Sequence, residues 1–474
     1  MLAQANVLAV EQPLEFNRCQ IKSEALLVDA QCASLSRAED PDSDDGRNIE
    51  LFIAKFPADT PDPEADAFTI IQGGPGGSSV DLYLRMRHLF AGIRKKRDII
   101  VVDQRGTGRS NMLGCPVSDD ELDIADFSPE QAKRMAAECV DVLSETSDLR
   151  YYTTSIAVQD LDAVRAAAGY PQLSIYGTSY GTRVAQHYLR RFPEQTRAVV
   201  LDGVVQVGLN LAGGEIARRS QQAFERIIAR CADSKPCTQE LGNIETKFNE
   251  LRQRLEKDPV NVELPHPFTG ELTLQLLNEQ SLLSLVRLLA YSSEQTALLP
   301  LFISQAHAKN YVPLAAWWLQ LDEQFATSYA VGMNNTVICA EDYPFVTDAD
   351  MVGIEDTYLG EMAAAMQSVC ETWPRGPMDD DFRTPFDSNT PVLILSGEVD
   401  PITPPANGEV TLQMLANSLH ITVPEQGHGV ISRGCIPRLT SNFIAAASLE
   451  DMTIDCVARE KALPLFIDFT GPTP

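Results

Sequence analysis

The chain has 474 residues, of which 44% are hydrophobic, so it is long enough for a buried core with a large insertion or a second domain. Its formal net charge of −28 argues against a nucleic-acid-binding protein and against attachment to an anionic membrane. A solvated acidic surface explains this charge without a functional role, and no segment approaches the ~20 apolar residues of a membrane span.

Short apolar runs rich in β-branched residues recur along the chain, and helical stretches such as residues 155–168 separate them. Runs of this kind, flanked by glycine, are typical of buried strands in a largely parallel sheet, so the pattern predicts an α/β fold. In chain order the predicted strands cover residues 48–54, 68–71, 98–102, 173–176, 198–201, 391–395 and 420–423.

The strand signals stop between residues 206 and 386, where amphipathic helical segments replace them. Strands return at residue 391, and a predicted helix at 439–447 follows the last of them. We therefore expect one α/β core, formed by residues 1–205 and 387–474, with a mostly helical insertion at 206–386 whose size is usual for a domain.

Ser179 lies at the centre of the sequence Gly-Thr-Ser-Tyr-Gly, directly after a predicted strand and before a predicted helix. The two glycines allow strand and helix to pack closely around a strained serine, which holds its hydroxyl clear of the sheet. The pentapeptide alone also occurs in ordinary turns, but its position between strand and helix favours a nucleophile elbow. We expect Ser179 to be a nucleophile.

A nucleophilic serine needs a base that takes its proton. Two of the six histidines, His420 and His428, follow the insertion at a predicted strand. The side chain of His420 would pack against the sheet, whereas His428 lies in a glycine-flanked loop at the strand's carboxyl end, where α/β enzymes place their chemistry. We expect His428 to be the base, and a surface-loop histidine is the alternative.

The acid that orients the base is expected in the loop after the preceding strand, which offers Asp400 and Glu398. Asp400 is the better candidate because prolines restrict the chain around it, and Glu398 is the alternative. The order Ser179, Asp400, His428 matches that of α/β hydrolases. The predicted fold is therefore an α/β-hydrolase fold with a mainly parallel sheet and a large, mostly helical cap insertion.

A glycine-rich turn at residues 72–77 follows an early predicted strand. We expect the backbone N–H groups of Gly73 and Gly74, with that of Tyr180, to form an oxyanion hole. A phosphate-binding loop is the alternative, but Pro75 removes a donor and no Gly-Lys-Ser/Thr follows.

A second glycine-containing loop covers residues 103–110 and lacks the G-x-G-x-x-G pattern of dinucleotide-binding proteins. We interpret it as a tight loop beside the oxyanion turn. Asp103 and Arg105 are expected to brace this loop rather than to contact a substrate.

Ten cysteines, an even number, indicate disulfides and hence a periplasmic or secreted protein. None of them shows the C-x-x-C spacing of a zinc or redox site, and buried free thiols in a cytosolic enzyme are the alternative. Connectivity cannot be deduced from sequence, so pairing by proximity is a hypothesis. It joins Cys19 to Cys32, Cys115 to Cys139, Cys231 to Cys237, Cys339 to Cys370, and Cys435 to Cys456.

The first residues do not form a complete signal peptide, because they have no basic region and only a short apolar one. The sequence Ala-Gln-Ala at residues 3–5 matches the end of an A-x-A cleavage site. A signal that has been removed is therefore a hypothesis.

Several motifs together resemble those of the proline iminopeptidase and tripeptidyl aminopeptidase family of serine peptidases, and the C-terminal ones resemble its secreted tripeptidyl aminopeptidase branch. Two departures stand out: Gln72 replaces the family's usual histidine, and residues 35–40 replace its usual Val-Pro-Leu-Asp-Tyr segment. The motifs that carry the resemblance lie at residues 72–77, 103–110, 177–181, 397–404 and 427–429, with Cys435 and Cys456 behind them.

The resemblance implies cleavage of a residue or short peptide from a substrate with a free N-terminus, whose ammonium is held by acidic side chains of the insertion. Glu341 and Asp342, which follow Cys339 closely, match this pattern, and a purely structural acidic turn is the alternative. Trp317 and Trp318 are candidates to line the pocket, although their apolar helix face favours a core position.

These observations predict a secreted or periplasmic serine aminopeptidase that acts on peptides and needs no metal or organic cofactor. An esterase with the same triad is one alternative, since specificity lies in the insertion. A catalytically silent hydrolase-like binding protein is another, against which the intact triad and glycine turn argue. The sequence leaves the oligomeric state open.

Overall fold

The computed structural model describes residues 13–23, 26–43, 46–115, 128–267 and 269–472, apart from the side chains of residues 26 and 322–327. The Ala-Gln-Ala sequence at residues 3–5 lies outside the described residues.

The strands bear out the sequence pattern and add two hairpins to it. They are β1 (Asn17–Ser23), β2 (Leu26–Ala38), β3 (Asn48–Phe56), β4 (Ala67–Ile71), β5 (Ile99–Val102), β6 (Leu173–Thr178), β7 (Thr196–Asp202), β8 (Val260–Pro265), β9 (Leu272–Leu277), β10 (Val392–Gly397) and β11 (Ser418–Val423).

Helices occupy most of the connections. They are α1 (Ser79–Met86), α2 (Ala91–Arg94), α3 (Pro129–Ser144), α4 (Thr154–Ala167), α5 (Tyr180–Arg191), α6 (Glu215–Ala232), α7 (Lys235–Leu241), α8 (Ile244–Lys257), α9 (Glu279–Leu289), α10 (Ser293–His307), α11 (Val312–Ser328), α12 (Val331–Glu341), α13 (Asp348–Met351), α14 (Gly360–Thr372), α15 (Pro405–Met414) and α16 (Ile436–Ala446).

In the part of the chain that the structure describes, nine strands form one sheet in the order β1-β2-β3-β5-β4-β6-β7-β10-β11. The pairs β1–β2, β2–β3 and β3–β5 are antiparallel. The neighbouring strands β5, β4, β6, β7, β10 and β11 run parallel to one another. Every residue of β4, β5 and β10 is buried, because helices cover both faces of a parallel sheet. The loops after β4, β6, β10 and β11 all leave from the carboxyl edge, so the predicted site residues share one edge of the sheet.

The chain between β7 and β10 is mainly helical, as the sequence predicts, and carries the β8–β9 hairpin. Residues of α6 to α11, such as Phe224, Leu285 and Phe302, form a hydrophobic cluster of their own. Residues of α12 and α14, such as Met333 and Cys370, instead join the cluster that packs against the sheet. The last part of the predicted insertion is therefore anchored on the core.

All five nearest-neighbour cysteine pairs are disulfides in the structure, and none of the ten cysteines is free. The Cα atoms of each pair lie between 4.9 and 6.3 Å apart, within the range of native disulfides. The Cys339–Cys370 bond joins α12 to α14 and so fixes the anchored part of the insertion.

Within the described ranges, no helix combines the length and the apolar character that crossing a membrane requires.

The disulfides make a direct prediction about thiol content. Protein that is unfolded without reductant should show almost no reactive thiol in a colorimetric titration, and reduction should release ten thiols per chain. Ten reactive thiols before reduction would contradict the disulfides and the extracytoplasmic location drawn from them.

Candidate active site

Ser179 occupies the sharp turn between β6 and α5, with a φ of 54° and a ψ of −126°. A non-glycine residue held at such angles costs of order 1–3 kcal/mol. Close packing imposes the turn, because a Cβ atom on Gly177 would lie 2.4 Å from the Gly181 carbonyl oxygen. A Cβ atom on Gly181 would lie 2.2 Å from the carbonyl oxygen of Ile71, at the end of β4. The turn therefore has the geometry of a nucleophile elbow.

Asp400 and His428 form a close pair at the same edge of the sheet. The Nδ1 atom of His428 lies 2.8 Å from Oδ2 of the buried Asp400, so an Nδ1–H donates to the carboxylate and Nε2 is left to accept a proton. The other carboxylate oxygen accepts the backbone N–H groups of Ile402 and Thr403, each at 2.8 Å. The Thr403 hydroxyl donates to Oδ2 at 2.8 Å. These bonds hold the acid in place.

Each member of this pair changes the pKa of the other. Burial alone lowers the pKa of His428, but the Asp400 carboxylate raises it, and the net direction is upward. Burial alone raises the pKa of Asp400, but the charge and hydrogen bond of His428 lower it, and the net direction is downward. The site thus favours an imidazolium beside a carboxylate, which is the charge state formed when the base takes a serine proton.

Asp202, the last residue of β7, contacts both halves of the site, although the sequence motifs did not indicate it. Its backbone carbonyl accepts the Ser179 N–H at 2.9 Å. Its buried carboxylate accepts the N–H groups of Val430 and Ile431 at 2.9 Å, just beyond His428. The sequence signal that could have indicated Asp202 is its place directly after a predicted strand, at the carboxyl edge of the sheet.

Tyr291, directly after α9, connects the insertion to the base. Its carbonyl oxygen accepts the His428 N–H at 2.7 Å, and its ring meets the imidazole edge-on with centroids 5.1 Å apart. The insertion therefore fixes the loop that carries His428.

The glycine turn after β4 lies against the nucleophile, since a Cβ atom on Gly73 would lie 2.6 Å from that of Ser179. The Gly73 N–H donates to the side-chain oxygen of Gln72 at 2.8 Å. Gln72, which stands where the family usually has histidine, therefore occupies an N–H group that was expected to bind the oxyanion. Gly74 and Tyr180 line the cavity beside Ser179. We retain their N–H groups as the proposed oxyanion hole.

Asp103 and Arg105 hold the second glycine-containing loop. The buried Asp103 accepts the N–H groups of Val80 and Arg109 at 3.1 and 2.9 Å. Arg105 makes a buried two-bond pair with Asp160 at 2.6 and 2.9 Å. Neither residue lines the cavity, which fits the expected bracing role.

A cavity of about 220 Å³ opens beside Ser179, between the sheet edge and the insertion. Apolar side chains such as Ile216, Leu359 and Met366 form much of its wall. Its polar wall includes Tyr291, Tyr329, Asn334 and Arg287, and no carboxylate lies among the lining side chains that the structure describes.

Glu341 and Asp342 are fully buried and do not line this cavity. Asp342 accepts two hydrogen bonds from Arg183 on α5, at 2.8 and 2.9 Å. Glu341 accepts the N–H and the hydroxyl of Thr154, at 2.6 and 3.0 Å. Both carboxylates are thus engaged within the protein, as in a structural acidic turn, and their assignment as amine anchors stays a prediction.

The pKa of Glu341 reflects its burial. Burial raises it to about 7, against the opposing effects of Arg183 and Thr154. A cation placed beside this carboxyl group would lower its pKa again.

The remaining candidates lie away from the cavity. The Nε2 atom of His420, within β11, lies 2.9 Å from the Ser396 hydroxyl, and Glu398 is exposed and accepts the Glu425 N–H. Trp317 and Trp318 belong to the hydrophobic cluster of the insertion. Among the described residues, no group of three or more histidine, cysteine, aspartate and glutamate side chains is placed to hold a metal ion.

Comparisons with known proteins agree with this geometry. Residues 356–456 match the family described as TAP-like protein. The chain is 26% identical to serine protease Hip1 of Mycobacterium tuberculosis, over 94% of this chain and 91% of that protein. It is 33% identical to carboxylesterase B of M. tuberculosis, over 49% of this chain and 48% of that protein. It is 29% identical to tripeptidyl aminopeptidase of Streptomyces lividans, over 37% and 35%.

The mainly parallel sheet and its strand–serine–helix turn define an α/β-hydrolase fold, which confirms the predicted fold class. With these relatives, they identify the protein as a serine hydrolase of the α/β-hydrolase superfamily. The predicted resemblance to serine peptidases of this superfamily is confirmed.

The Asp400–His428 pair predicts the pH dependence of activity. Because the pKa of His428 is raised, kcat/KM should fall at acid pH with a midpoint above the ordinary histidine value of about 6.5. Asp400→Asn should lower that midpoint and reduce kcat by about 10³–10⁴-fold. A pH–rate profile of both proteins checks this, and an unchanged profile in the variant would contradict the pairing.

The Arg183–Asp342 pair predicts a loss of stability. Asp342→Asn removes the nearer charge partner of the buried Arg183 and leaves Glu341 at 3.6 Å, so it should cost up to about 3–5 kcal/mol in urea unfolding. Glu341→Gln keeps an acceptor for Thr154 and should leave the KM of a free-amine substrate unchanged. A large increase in that KM, with normal stability, would identify Glu341 as an amine anchor.

Proposed function

We propose that the protein is a serine aminopeptidase that releases a residue or a short peptide from the N-terminus of a peptide substrate. The observation that carries this proposal is the small cavity beside Ser179, whose wall the insertion helps to form. Its volume of about 220 Å³ suits the end of a chain better than an extended polypeptide that passes through. Residues 206–386 act as the cap that limits access.

In the proposed mechanism, Ser179 Oγ attacks the scissile carbonyl while His428 Nε2 takes its proton. Asp400 keeps the imidazole oriented and stabilises its positive charge. The N–H groups of Gly74 and Tyr180 hold the oxyanion. His428 then protonates the leaving amine, and water releases the acyl group by the same route in reverse.

The similarity to proteins named tripeptidyl aminopeptidase and serine protease supports peptide substrates for this chain. The TAP-like match covers residues 356–456, which include Asp400 and His428. Five disulfides support a periplasmic or secreted location, because such bonds persist in oxidising compartments.

An esterase is the second candidate, and one observation favours it. The described side chains of the cavity wall include no carboxylate that would hold the ammonium of a free N-terminus. Similarity to a protein named carboxylesterase B points the same way. Both functions use the same proposed triad.

A hydrolysis panel separates the two functions. Aminoacyl and tripeptidyl p-nitroanilides, each with a free or an acetylated amine, are compared with p-nitrophenyl esters of the same acyl groups. The proposal predicts faster cleavage of the free-amine anilides, and Ser179→Ala should reduce kcat by about 10⁶-fold.

Equal rates on free and acetylated anilides would overturn the aminopeptidase assignment. Cleavage of esters alone would establish the second candidate. Full activity of Ser179→Ala would overturn the mechanism for both.

A further inference from the structure

Arg287 lies in the last turn of α9 and lines the cavity beside Ser179. It is the one charged side chain among the described residues of this wall. Its charge also lowers the pKa of His428, so the guanidinium acts on the same site as the base. Arg287 has no role in the proposed mechanism of Ser179, Asp400 and His428.

The guanidinium interacts with the Tyr291 side chain but has no carboxylate partner among the described residues. Its Nη1 contacts the Met362 sulfur at 3.3 Å, which is a weak acceptor, and its buried Nε has no hydrogen-bond partner. None of the ion pairs among the described residues involves Arg287. By contrast, Arg105 and Arg183 each make a two-bond pair with a buried carboxylate.

Tyrosine side chains lie around this cation. The nearby Tyr291, with Tyr358 and Tyr329, raises the pKa of Arg287 although burial opposes this. A buried guanidinium without a carboxylate partner costs stability, and a carboxylate on a ligand would supply that partner.

We propose that Arg287 binds a carboxylate of the substrate and makes the enzyme selective for acidic peptides. The inference rests on the proposed peptidase function for the kind of chain it acts on. A guanidinium matches a carboxylate through two parallel hydrogen bonds, and Arg287 lies on the cavity wall. The chain carries a net charge of −28 and does not attract anions as a whole, so this selectivity must come from a local cation.

Two sources present this carboxylate: an acidic side chain in the acyl part, or the C-terminal carboxylate of a short peptide. The first arm compares Ala-Ala-Glu-p-nitroanilide with Ala-Ala-Gln-p-nitroanilide, which differ only in charge. The second compares tetra-alanine as the free acid with its C-terminal amide. In one of these arms, the acid should be preferred by about 10- to 100-fold in kcat/KM.

The variant Arg287→Met should abolish this preference mainly through KM, and Arg287→Lys should keep part of it. Arg226→Met, an exposed arginine on α6, serves as the matched control and should keep the wild-type preference. A preference in the first arm that requires Arg287 identifies the side chain as the source, and one in the second identifies the chain terminus. Absence of any acid preference, or its survival in Arg287→Met, overturns the proposal.

Ester substrates allow the role of Arg287 to be tested even if the protein does not cleave peptides. If the anilides are not cleaved, mono-p-nitrophenyl glutarate is compared with p-nitrophenyl pentanoate, and the same dependence on Arg287 is expected. If Arg287→Met does not fold, glutarate and glutaramide are compared as inhibitors of the wild-type enzyme. Tighter inhibition by glutarate supports the site, and equal inhibition overturns it.

Discussion

The rest of the active site depends on the hydrogen bonds that Asp202 makes with two separate segments of the chain. Its backbone carbonyl holds the N–H of Ser179 in the strained turn, and its buried carboxylate holds the loop beyond His428. The carbonyl bond contributes about 0.5–1.5 kcal/mol toward the cost of a non-glycine residue at positive φ, and each bond to the carboxylate about 1.5–3 kcal/mol to the histidine loop. Asp202 at the end of β7 therefore links the turn of the nucleophile to the loop of the base.

Buried charge serves two purposes in this molecule. The guanidinium groups of Arg105 and Arg183 are paired with carboxylates, brace a loop and a helix, and stay away from the cavity. Arg287 is on the cavity wall and lacks such a partner. Since an unpaired buried charge costs stability, the difference separates charges that hold the fold from one that is available to a ligand.

Local motifs made the fold and the proposed triad predictable. Ser179, Asp400 and His428 each lie in a loop whose flanking strand is evident from a short apolar run. The β1–β2 hairpin was missed because only part of each strand is buried, so its sequence is not apolar enough. Asp202 and Tyr291 were missed because their roles arise from contacts between segments far apart in sequence. The contacts that Arg183 and Thr154 make with Asp342 and Glu341 from α5 and α4 were missed for the same reason.

The central claim is that Asp202 holds Ser179 and His428 in a reactive arrangement. The most direct test is the rate and position of covalent labelling by a fluorophosphonate, followed by peptide mass spectrometry in wild-type and folded Asp202→Asn protein. We predict a single adduct on Ser179, formed more slowly in the variant because the charge that holds the histidine loop is gone. An adduct on another residue, or equal labelling rates in the two proteins, would contradict the account.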